Sequence, residues 1–89
     1  MSRKLKIAIV DDEPDMRESI SQWLVLSGFE TETFASAEDA LKVIGTDWPG
    51  VVVTDIRMPG MDGMAFLKRL MGLDSNLPVI MITGHGDVP

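Results

Sequence analysis

Four residues in this sequence carry reactive side chains at matching places in its pattern: Asp11, Asp12, Asp55 and Thr83. Each follows a short apolar run. Lys6-Ile7-Ala8-Ile9-Val10 stops at the paired aspartates, Val51-Val52-Val53-Thr54 stops at Asp55, and Val79-Ile80-Met81-Ile82 stops at Thr83. Carboxylates that converge at one end of a sheet repel one another unless a cation joins them, and hard oxygen ligands favour Mg²⁺ or Mn²⁺. The remaining coordination would go to water, backbone carbonyl and phosphoryl oxygen. A carboxylate beside such a cation can attack a phosphoryl donor and become an aspartyl phosphate. The cation offsets the charge on the transferred group. Thr83 would then offer its hydroxyl to a phosphoryl oxygen, and Gly84, which has no side chain, would leave Asp55 accessible. Taken singly these residues mean less, because acids at strand ends often cap helices or are simply solvated. Glu13 and Asp15 read as the favourable negative charges of a helix N-terminus rather than as ligands. It is the combination that packing does not easily produce.

The elements that must position these groups alternate along the chain. A continuous apolar run such as residues 6–10 suits a strand covered on both faces. Pro14 fits the first turn of a helix, where its missing N–H costs nothing. Met16, Ile20, Trp23 and Leu24 follow at helical spacing, which places Trp23 in the core, and Ser27-Gly28 closes the helix. Residues 30–34 alternate as an outer strand. Ser36 can cap a second helix with Ala37, Ala40, Leu41 and Ile44 on one face, ended by Gly45. Trp48 reads as a packing residue in the loop that follows. Residues 51–55 are the most β-branched stretch and the expected central strand. A Gly- and Pro-rich loop, 58–63, leads to a third helix carrying Met64, Phe66, Leu67 and Leu70. Residues 79–83 form the fourth strand. The order βαβαβαβ predicts a parallel sheet with right-handed crossovers. Ligands of such sheets bind beyond the carboxyl ends of the strands, where strand order reverses. If the first and third strands are neighbours, Asp11, Asp12 and Asp55 meet there.

Composition narrows the function classes. The 89 residues suffice for one domain, and 45% hydrophobic with 25% charged residues is ordinary for a globular protein. No apolar run is long enough to cross a bilayer, and the basic start is followed by too short an apolar stretch for a signal peptide. With no cysteine there is neither a disulfide framework nor a thiolate metal site, which fits a cytoplasmic protein. A net charge of -6 argues against direct nucleic-acid binding by these residues.

The segments Ile9-Val10-Asp11-Asp12-Glu13, Val53-Thr54-Asp55-Ile56-Arg57-Met58-Pro59-Gly60-Met61-Asp62-Gly63 and Thr83-Gly84-His85-Gly86-Asp87 resemble, in order and spacing, the receiver domains of two-component response regulators. The closing residues, through Val88-Pro89, are closer still to sigma-54-dependent activators of the C4-dicarboxylate transport type, with similar wording in nitrogen-fixation-type regulators. The resemblance implies a flavodoxin-like doubly wound α/β fold with strand order 2-1-3-4. It implies that Asp55 is the phosphoacceptor, with Mg²⁺ (or Mn²⁺) bound by Asp12 and Asp55 directly, by Asp11 through water and by the backbone carbonyl of Arg57. Thr83 takes the place of the switch hydroxyl. The implied partners are a sensor histidine kinase as phosphohistidine donor and an output domain, of the transcriptional kind, in a longer chain.

Against the family pattern, residues 1–89 are expected to be a C-terminally incomplete receiver domain. The fifth strand, its phosphoryl-contacting lysine and the last helices are missing, and Lys68 and Arg69 read as solvated charges that do not replace that lysine. The fourth strand would then be an apolar edge, and the expectation is an unstable monomer or a homodimer formed by pairing or strand exchange. Two other functions compete. A phosphohydrolase of the aspartyl-phosphate type generally has a second acid two residues after the nucleophile, and Arg57 stands there instead. A degenerate receiver used only for dimerisation or binding is at odds with the intact acids. The expectation is a phosphoacceptor signalling domain rather than an enzyme.

Overall fold

Why the acids come together follows from how four short strands align. The computed structural model describes residues 5–82. The strands are β1 (Lys6–Val10), β2 (Glu30–Phe34), β3 (Gly50–Asp55) and β4 (Val79–Ile82), and the helices are α1 (Pro14–Leu26), α2 (Ala37–Leu41) and α3 (Gly63–Leu73). All strands run parallel in the order β2-β1-β3-β4. The chain leaves β1 toward β2 on one side and β3 toward β4 on the other, so the order reverses between β1 and β3. This is the doubly wound arrangement expected from the alternating pattern.

Side chains alternate across a strand, and the two faces of the sheet are used differently. Ala8, Val10 and Val52 form a core with Phe34, Ala37, Ala40, Ile44, Met58, Phe66, Leu70 and Leu77. This is the face covered by α2 and α3. Ile7 and Ile9 point to the other face, where α1 lies against β1 and β2. A hydroxyl–hydroxyl bond of 2.8 Å between Ser21 and Thr31 ties α1 to β2. Burial on both faces accounts for the unbroken apolar sequence of β1.

Local signals set most element ends. Pro14 opens α1, and Gly28 follows its end with φ +97°, a left-handed conformation that glycine adopts without strain. The Ser36 hydroxyl accepts the Asp39 N–H at 3.1 Å and starts α2. Asp62 does the same for α3 through Ala65 N–H at 2.9 Å. α2 is shorter than its apolar spacing predicts: it ends at Leu41, and Ile44 reaches the core from a further turn held by Ile44 N–H to Ala40 O at 2.8 Å.

The expected core residue Trp23 lies at the surface instead, and so does Met64 of the α3 apolar pattern. Trp23 is 73% exposed and Met64 is 54% exposed. Residues of α1 are at most partly buried, so a helical apolar stripe here marks a side that only partly meets the sheet. In α3 the contact is made by Phe66 and Leu70, one turn apart, and Met64 falls outside that stripe. Trp48 does pack against the core, with its indole N–H bonded to Val51 O at 3.3 Å. Among the described residues β4 pairs with β3 alone, and Ile80 on it is 52% exposed.

Candidate metal centre

The register of β1 against β3 fixes the site. Val10 lies opposite Thr54, so Asp11 and Asp55, the next residue on each chain, stand side by side where the strands end. Both continue the row of Ile7, Ile9, Val51 and Val53, on the face opposite Val10 and Thr54. Asp12 follows at the mouth. One carboxylate oxygen from each of Asp11, Asp12 and Asp55 lies within 4.8 Å of the others. The structure thus brings together the three acids that the sequence pattern places at like strand ends. Thr83 and Gly84 lie outside the described residues, although β4 reaches the site, with Ile82 opposite Asp55.

Burial makes this cluster costly without a counter-charge. Asp11 and Asp55 are each 1% exposed. Burial raises the Asp11 pKa above its ordinary 3.8, the Glu13 N–H opposes that rise, and repulsion from Asp55, Asp12 and Glu13 adds to it. Oδ2 of Asp11 and Oδ1 of Asp12 are buried and accept no hydrogen bond among the described residues. Buried carboxylate oxygens ordinarily have donors, and a divalent cation satisfies several such oxygens at once. The donor set is all oxygen and formally trianionic, which suits Mg²⁺ or Mn²⁺ rather than a soft metal.

The backbone around the acids is tied down. Glu13 N–H donates to Asp11 Oδ1 at 2.9 Å, and Arg57 N–H donates to Asp55 Oδ1 at 3.3 Å. Behind Asp55, the loop to α3 is held at several points. Met58 is buried in the core, Gly63 N–H donates to Ile56 O at 2.8 Å, and Met61 N–H donates to Glu38 Oε2 at 3.1 Å. Gly60 has φ +76°, and a side chain there would meet the Glu38 carboxylate. Arg57, which sequence reading assigns a backbone role, thus lies at the start of a well-braced loop.

Sequence reading missed two of the residues that brace this site. Arg17 donates from Nη1 to the Asp11 carbonyl at 2.7 Å. It stands one helical turn after Pro14, and that position on a first turn facing the strand end was the available signal. Glu38 gives no such signal, because it meets Met61 across 23 residues.

Comparison with known proteins agrees with this geometry. The family described as the response regulator receiver domain matches residues 7–89. The C4-dicarboxylate transport transcriptional regulatory protein DctD of Rhizobium meliloti is 46% identical over 89 residues, covering 100% of this chain and 19% of DctD. DctD of Pseudomonas aeruginosa is 49% identical over 84 residues, covering 94% of this chain and 18% of its own length. The chain thus spans about a fifth of the length of these two relatives. Among solved structures, FixJ-N superimposes with a TM-score of 0.81 at 42% identity, over 99% of this chain and 70% of that one. Response regulator StyR gives 0.86 at 37% identity, over 98% and 44%. No helix among the described residues is long and apolar enough to cross a membrane.

Proposed function

The chain belongs to the response-regulator receiver domain family, and from that premise we propose that Asp55 accepts a phosphoryl group from a phosphohistidine on a sensor kinase. The observation that carries this reading is the cluster itself: Asp55 sits at the end of β3 with the Asp11 and Asp12 carboxylates within 4.8 Å. A carboxylate oxygen of Asp55 attacks phosphorus, the phosphorus–nitrogen bond of the donor breaks, and the electron pair leaves with the imidazole. A bound Mg²⁺ would supply charge neutralisation for the phosphoryl oxygens. Asp11, Asp12, Asp55 and the Arg57 carbonyl would hold it.

This chain's residues do the rest. Arg57 N–H donates to Asp55 Oδ1 at 3.3 Å and helps to fix the carboxylate plane. Thr54, fully buried, bonds its hydroxyl to the Asp55 carbonyl at 3.0 Å and steadies the strand end. Thr83 comes directly after Ile82, the register partner of Asp55, and its hydroxyl would bond a phosphoryl oxygen and report the modification. The switch would act on an output domain elsewhere in a longer chain, of the transcriptional kind found in DctD. The Arg57 side chain, in place of a second acid, argues for stoichiometric modification over continuous hydrolysis of external substrates.

Intact-mass measurement after incubation with Mg²⁺ and a small acyl phosphate tests the proposal. One phosphate adduct is expected on the chain and none on Asp55→Asn. An adduct that persists in Asp55→Asn, or steady release of phosphate without an adduct, would refute it.

A further inference from the structure

Asp11 is the member of the cluster whose surroundings are most completely specified. Its N–H donates to Phe34 O at 3.1 Å, its Oδ1 accepts the Glu13 N–H at 2.9 Å, and its carbonyl oxygen accepts Arg17 Nη1 at 2.7 Å. Only Oδ2, buried, accepts no hydrogen bond among the described residues. Arg17 is itself anchored, since its N–H donates to Glu13 O at 3.0 Å. Strand end, loop and first helical turn are therefore closed into one ring. The guanidinium bond is charge-assisted and short, and a planar, pre-organised donor loses little freedom in making it.

We propose that Arg17 is a positioning residue for the cation site, acting through the Asp11 carbonyl. That carbonyl belongs to the peptide joining Asp11 to Asp12, so its direction sets where both carboxylates point. With the carbonyl released, the peptide can rotate, and the two acids no longer present their free oxygens to one point. Groups that orient metal ligands commonly change affinity by tenfold or more when removed. The inference rests on reading the acidic cluster as a divalent-cation site. A purely structural alternative is that Arg17 only fastens α1 to the sheet.

Calorimetric titration of the chain with Mg²⁺ separates these. Arg17→Met keeps the apolar stem and the packing but loses the donors, and its dissociation constant is expected to rise roughly tenfold. Arg17→Lys, which keeps one donor, should recover much of that loss. Leu77→Val, at the opposite end of the sheet from the acids, should lower the urea midpoint yet bind Mg²⁺ as the parent does. Parent-like affinity in Arg17→Met overturns the role of Arg17 and leaves the cation site standing. Equal weakening in Arg17→Met and Leu77→Val also overturns it, because general stability then explains the effect. A parent chain that binds no Mg²⁺ overturns the cation-site reading and this inference together.

Discussion

Replacing Gly63 by alanine should destabilise the protein, although alanine is the better helix former. On propensity alone, Gly to Ala in a helix gains up to about 1 kcal/mol. Here a methyl group would overlap the Asp55 carbonyl oxygen and lie 2.8 Å from Ile56 Cα and 3.1 Å from Met81 Cε. The first two are backbone atoms of the strand end that carries Asp55, so neither can swing aside. Bringing the Ile56 contact to an ordinary distance requires a retreat of roughly 0.6 Å, and such overpacking costs about 1–3 kcal/mol. The same movement stretches the 2.8 Å bond from Gly63 N–H to Ile56 O, for about 1 kcal/mol more. Set against the propensity gain, the net loss is about 1–3 kcal/mol. With a urea slope of about 1 kcal/mol per M for a chain of this size, the midpoint falls by about 1–3 M. Gly72→Ala is the internal control: it lies in the same helix with nothing within 4 Å of the added methyl, so its midpoint should rise slightly. The reasoning is refuted if Gly63→Ala matches or exceeds the parent, or if the two substitutions move the midpoint in the same direction.

Asp11 makes a pH-dependent prediction. Its folded pKa is raised, chiefly by burial, above the unfolded value near 3.8. The stability it contributes is therefore full below that value and lost as pH rises through the folded pKa. With metal chelated, Asp11→Asn should have a higher urea midpoint than the parent at pH 7 and no advantage near pH 3, and a lower midpoint at pH 7 would contradict this. Added Mg²⁺ should raise the parent's midpoint more than the variant's. Trp23, 73% exposed, should be the fluorophore that iodide quenches, while half-buried Trp48 is shielded. Trp23→Phe should remove most of the quenching and shift stability by no more than about 0.5 kcal/mol; a larger loss would mean the indole is packed.

Most of the architecture is legible in the residues themselves. Unbroken apolar runs ending in acids, Pro14 and Gly28 bracketing α1, and Ser36 ahead of α2 are local signals with local physical causes. They give the element order, and the order with right-handed crossovers gives the sheet. The identities of Asp11, Asp12 and Asp55 as a group also follow, because strands that start together on one side of a parallel sheet end together on the other. Helical periodicity is a weaker guide. It indicates a face but not how far that face is covered, which is why Trp23 and Met64 prove to be exposed.

What only the tertiary structure decides is how the acids are held. The pairing of Val10 with Thr54 sets Asp11 level with Asp55, and a slip of one residue would send the two carboxylates to opposite faces. The bond from Met61 to Glu38 joins parts of the chain that no local pattern relates, and the bond from Arg17 to the Asp11 carbonyl depends on how α1 docks against the strand end. The sequence by itself determines which acidic side chains gather and at which end of the sheet. Their orientation depends on backbone groups brought within hydrogen-bond reach by folding, since a 3 Å contact is set by the whole packed structure and not by residue type.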